Sequence, residues 1–152
     1  MRSIVPIAAI LAMSLAAMPV RAASPDEVPP DQQTIDSLAA RASQAPAREQ
    51  CFLYAELMHQ MTELSLRQYA AGDVTKAAAL LKEIQGVAHK IHLSLADNDK
   101  RLKNAEILLS RTAFRLTELL QSSDYQDRPL VQQTLADVSQ AQNAALMQVF
   151  RK

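Results

Sequence analysis

The segment DVTKAAALLKEIQGVAHKIHLSLA, residues 73–96, decides the fold class. Its apolar residues Ala77, Leu80, Leu81, Ile84, Val87, Ala88, Ile91 and Leu95 recur with a period near 3.6. That spacing lays one continuous stripe along a helix, whereas a half-buried strand alternates every second residue. Asp73 stands where an N-cap belongs, and Gly72 just before it can take the left-handed conformation that closes a preceding helix.

Working upstream, a second helical pattern runs from about Ala47 to Ala71, with Pro46 suited to its first turn. Leu53, Leu57, Met61 and Leu64, flanked by Tyr54 and Met58, read as its core stripe; Phe52, Ala55 and Leu66 lie on the opposite side. A helix that is apolar on two faces needs two neighbours, either a short helix of the same chain or another copy of the protein. Ser43, Gln44, Ala45 and Pro46 break the chain ahead of it, because a residue before proline is pushed out of the helical region. Asp31 caps a short first helix to about Ala42 that carries Ile35, Leu38, Ala39 and Ala42. The stretch Tyr69-Ala70-Ala71-Gly72-Asp73 with Lys76-Ala77 resembles the turn of a tetratricopeptide repeat. The likeness covers one turn, with no second copy at the repeat spacing of about 34 residues, so it reads as a shared helix-hairpin solution.

Downstream, Asp97-Asn98-Asp99 favours a turn, since these residues disfavour helix interiors. Leu102, Ala105, Leu109, Thr112, Leu116 and Leu119 form the stripe of the next helix, Ser122 to Arg128 a loop, and Pro129 opens the last helix. The chain therefore reads as an all-α antiparallel helical bundle of about four long helices plus a short N-terminal helix, one domain over 31–152. The stripe stays in phase through 97–99, so the alternative is one long central helix over 74–120, about 70 Å at 1.5 Å per residue, with flanking helices. Two glycines, no tryptophan and 4% aromatic residues leave little from which to build a sheet.

Residues 1–22 read as a secretory signal: Arg2, an apolar run from Ile4 to Ala17, then Val20 and Ala22 at −3 and −1 of a cut before Ala23. The run is shorter than the ~20 residues of a spanning helix. The expected location is periplasmic or secreted, with no membrane attachment after signal cleavage. Residues 23–30, with three prolines, read as a flexible tether. The formal charge is zero, and without Arg2 and Arg21 there are 14 basic against 16 acidic side chains, a net −2. A chain this close to neutral has no field to gather nucleic acid. Cys51 is the single cysteine, so neither an intramolecular disulfide nor Cys-x-x-Cys-His haem attachment exists. Beside Phe52, Leu53 and Tyr54 it reads as a small buried hydrophobe.

Glu56 and His59 share one side of the second helix at the spacing used by di-iron bundles, which however require a second Glu-x-x-His that this chain lacks. Met58 and Met61 beside His59 would suit Cu(I), although Met also fills core gaps. His89 and His92, three apart, would hold Zn or Cu if another helix or chain supplied further ligands. These four, Glu56, His59, His89 and His92, are the metal candidates; no cofactor is implied. Gly86 lies opposite the apolar stripe, as a tolerated defect or a point of close approach. Lys103, Ile107, Arg111 and Phe114 form a mixed stripe within a basic region from Lys90 to Arg115, read first as a second packing face and otherwise as a docking surface. No nucleophile elbow or phosphate-cradling loop is present. The functional expectation is a non-catalytic binding or structural module acting through protein–protein contacts, with a protein partner or self-association at Phe52, Leu66, Ile107 and Phe114. A metal- or small-ligand-binding bundle is the alternative.

Overall fold

The structure, a computed structural model, describes residues 29–95 and 101–151. The leader, most of the tether and the turn residues 97–99 read from the sequence lie outside the described residues. Five helices follow in order: α1 (Gln32–Gln44), α2 (Ala47–Ala70), α3 (Val74–Ser94), α4 (Leu102–Ser122) and α5 (Arg128–Val149). Among the described residues there is no strand. The fold is an all-α bundle of four long helices and one short one.

The helix ends follow from local chemistry. The Asp31 carboxylate accepts the Thr34 N–H at 2.7 Å, a side-chain cap for α1. This bond holds the Asp31 carboxyl below its ordinary pKa. Gly72 has φ +84°, and behind it Asp73 N–H bonds Gln68 O while Gly72 N–H bonds Tyr69 O. That pair of reversed bonds closes α2 in a Schellman turn. Asp73 occupies the cap position of α3 without bonding the helix through its side chain; its carboxylate sits 3.7 Å from Lys76 instead.

α2 packs on α3 and α4, α5 packs on the same two, and α1 packs on α2 alone. The long helices thus form a square in the order α2, α3, α5, α4. Along α2, Tyr54 meets Lys90 and Ser65 meets Ala77, so α2 and α3 are antiparallel. His59 meets Thr112 and Glu63 meets Arg115, so α2 and α4 run parallel. Successive helices alternate in direction, as the sequence implies, but α3 and α4 lie on a diagonal and do not pack on each other. One continuous helix over 74–120 is excluded: Ala77 and Arg115 would lie about 57 Å apart on it, yet they touch α2 at Ser65 and Glu63.

The two faces of α2 exchange roles relative to the sequence reading. Each residue advances 100° around a helix. Tyr54 and Ser65 mark the direction of α3, His59 and Glu63 that of α4; the sector between them, pointing into the bundle, holds Cys51, Ala55, Met58 and Thr62, each 0% exposed. Leu53, Leu57 and Leu64 fall in the opposite sector, where α1 lies with its buried Ile35, Leu38 and Ala42. Small residues face inward because they let α2 approach its neighbours closely, while the leucines need the added helix. The Arg67 guanidinium also donates to Pro30 O, tying the segment before α1 to α2.

Three of the buried hydroxyls bond main-chain carbonyls, whereas Thr62 Oγ1 and Tyr69 OH have no hydrogen-bond partner among the described residues. Thr112 bonds Leu108 O at 2.8 Å, Thr134 bonds Leu130 O at 2.9 Å, and Ser65 reaches across to Ala77 O at 3.1 Å. The α2–α4 seam is pinned by Arg115, whose Nε lies 2.7 Å and Nη2 3.1 Å from the Glu63 carboxylate and whose Nη1 bonds Glu118. These hydrogen bonds, Glu63 first, raise the guanidinium's pKa above its already high value.

Leu38→Ala leaves a hole under α1 and lowers the unfolding free energy by about 2–4 kcal/mol in urea titration. Gly86 is solvent-exposed with nothing within 4 Å of a built Cβ, so Gly86→Ala raises stability by about 0.5–1 kcal/mol in the same assay. A double-mutant cycle of Glu63→Gln with Arg115→Gln gives a coupling of about 0.5–1.5 kcal/mol, kept small by solvent screening.

Candidate functional site

The square separates the three histidines. His59 lies on the α2–α4 seam, its Nδ1 3.3 Å from Thr112 Oγ1. His89 and His92 lie on the α3–α5 seam, the opposite edge of the bundle, and line a cavity of about 360 Å³ with Gln85, Ala88, Asp137, Gln140 and Ala141. Both are exposed, and the Asp137 carboxylate accepts from Gln133 at 3.0 Å. Among the described residues no three His, Cys, Asp or Glu side chains gather as metal ligands would. Met58 and Met61 are buried in the core. The 100° step turns them to other sides of α2 than His59, so they do not join it in one grouping among the described residues.

Glu56 and His59 do share a site. They line a cleft of about 350 Å³ between α2 and α4, with Phe52 and Gln60 from α2 and Arg101, Asn104, Ile107, Leu108 and Arg111 from the start of α4. Among the described residues, two guanidiniums and one carboxylate border it. The Arg101 guanidinium lies over the Phe52 ring, its Cζ 3.5 Å from the centroid, a cation–π contact. Arg111 is exposed and has no ion pair among the described residues.

The four interaction candidates divide. Phe52 is 9% exposed, covered by Arg101 and the core, and Leu66 is half-buried against the core. Their apolar surface is largely used inside the chain, so of the two covers read from the sequence the chain itself supplies one. Ile107 is 40% and Phe114 64% exposed. The second packing face expected of Lys103, Ile107, Arg111 and Phe114 does not form among the described residues: the core side of α4 is Ala105, Leu109, Thr112, Leu116 and Leu119, and none of the five helices lies over the other side.

Arg101 and Arg111 are visible in the sequence as members of a basic region, but their partners Phe52, Gln60 and Asn104 are not. Nothing in a sequence marks a polar residue as facing a seam until the neighbouring helix is placed. A further cavity of about 380 Å³ at the other end of α2 is bordered by Leu66, Tyr69, Ser122, Asp124 and Asp127. Burial first, then the Asp127 charge, pushes the Tyr69 phenol above its ordinary pKa, so it stays a neutral donor. Comparison with protein-family models, with curated proteins and with solved structures finds no match for this chain.

Proposed function

We propose that this chain is an exported, non-catalytic binding module that docks a protein partner on the outward face of α4. The observation that carries the reading is the line Lys103, Ile107, Arg111 and Phe114. α2 has both faces covered within the chain, while this stripe keeps two large apolar side chains in water beside two cations. An aromatic and an aliphatic anchor next to basic residues are the composition of an interface centre and its rim. The exposed stripe holds no acid: Glu106 turns to Gln142 of α5, and Glu118 is engaged by Arg115.

Charge favours a foreign partner over a second copy. Pairing two α4 faces about a two-fold axis would bring Lys103 and Arg111 against their own counterparts, a like-charge arrangement. The fitting partner is an amphipathic segment with an apolar centre flanked by carboxylates. Leu93, Tyr125, Met147 and Phe150 are exposed too, but they are scattered over α3, the segment between α4 and α5, and the end of α5, and none of them pairs a second large exposed apolar side chain with cations within α4 as these residues do.

A photoreactive benzoylphenylalanine replacing Phe114 gives a discrete cross-linked adduct in the exported fraction, and one replacing Gln132 on α5 gives none. Phe114→Ala removes the association while changing the unfolding free energy by less than about 0.5 kcal/mol. Absence of an adduct at 114, or an equal one at 132, overturns the reading.

A further inference from the structure

The described residues start at Pro29, beside the outward face of α4. Pro29 and Pro30 border a cavity with His59, Gln60, Glu63 and Arg67 of α2 and Arg115 of α4. The Pro30 carbonyl accepts from the Arg67 guanidinium, which holds this entry point on the α2–α4 seam. Arg111 lies one turn before Arg115, about 6 Å along the axis and about 40° round it towards Ile107 and Phe114. The residues just upstream of Pro29, Ala23-Ser24-Pro25-Asp26-Glu27-Val28, carry two carboxylates, no cation and a valine. We propose that residues 23–28 lie along the outward face of α4, with Asp26 and Glu27 at Arg111 and with Pro25 and Val28 on the apolar side chains beside it.

Reach and charge both support this occupant. Six extended residues span about 20 Å, and the stripe from Lys103 to Phe114 takes about 16 Å of helix. Towards the end of α4 the segment would meet Glu118, Asp124 and the negative end of the helix dipole. Towards the start it meets Arg111, Lys103 and the positive end, where the first turn holds no acid. Arg111 is exposed and has no ion pair among the described residues. A weak contact is enough. Held within a few residues of Pro29, the two carboxylates act at an effective concentration on the order of millimolar. Pro25 has few conformations to lose on docking.

The proposal rests on the reading of this face as a docking surface and adds its regulation. The chain's own acidic segment occupies the stripe until a partner of the same acidic and apolar chemistry displaces it.

The test is paramagnetic broadening in the isotope-labelled chain recovered from the exported fraction, with a nitroxide on Ser24→Cys. Cys51 is fully buried and does not compete for the label. A segment that is tethered but not docked broadens amide signals evenly around Pro29, on α1, α2 and α4 alike. The docked segment broadens Ile107 and Arg111 in excess of the residues of α1 and α2. That excess is lost in Asp26→Asn with Glu27→Gln, in Arg111→Gln and in about 0.5 M salt, while Asp36→Asn on α1 leaves it. These substitutions lie on exposed or upstream residues, so the bundle still folds. No excess at Ile107 and Arg111, or an excess that survives the double substitution, overturns the proposal. Equal broadening of isotope-labelled chain mixed with separately spin-labelled chain assigns the contact to a second copy and overturns it too. No partner is present in this sample, so its outcome is independent of the photo-adduct at position 114: an adduct without the excess strikes only the segment, and an excess without the adduct strikes only the partner.

Discussion

Everything in this bundle depends on α2 being packed on three sides. It is the one helix of the described residues that packs on three others, α1, α3 and α4. Its inner face, Cys51, Ala55, Met58 and Thr62, is made of small or flexible side chains, which lets two long helices close in on either side. Its outer leucines would stand in water without α1, and α1 by itself is only 13 residues long. A helix that short is marginal in isolation and holds together through the apolar surface it covers. α1 and α2 therefore stabilise each other.

That arrangement also determines where chemistry is available. With α2 covered on three sides, the surface open to a ligand lies along its seams and on the outer sides of its neighbours. The seam with α4 combines a bidentate Arg115–Glu63 pair, an Arg101–Phe52 contact and an Arg111 that has no ion pair among the described residues. The first two are used in holding the helices together, and Arg111 remains at the edge of the cleft. α4 accordingly does two things at once: one side completes the core, and the other, carrying Ile107 and Phe114, is the face we propose for a partner. The α3–α5 seam is of a different kind, with two exposed imidazoles that no third ligand joins among the described residues.

How the residues of α2 were legible shows the limit of periodicity. Leu53, Leu57 and Leu64 form the most apolar stripe and invite assignment to the bundle interior, yet they meet the added helix. Hydrophobicity reports that a face is buried, not what buries it. Phe52 illustrates the same limit at a single site: its place opposite the leucines marks it as needing cover, and that cover is an arginine from a helix about fifty residues away. Lys103, Ile107, Arg111 and Phe114 err in the other direction. Their spacing is that of a packing stripe, yet among the described residues no helix covers it.

Read alone, the residue pattern determined that the chain folds into helices, where most of them begin and end, and that α2 needs two partners. These are local properties, set by the 3.6-residue repeat, by Asp31 and Pro46 at helix starts, and by Gly72 at φ +84°. Only the tertiary structure decided that α3 and α4 sit diagonally, that His59 and the pair His89 and His92 occupy opposite seams, and that Arg101 and Arg111 border one cleft with Phe52. The physical reason is that helix order around a bundle is set by how side-chain volumes fit between non-successive helices. A periodic stripe records only the direction of burial, and several orders satisfy it equally.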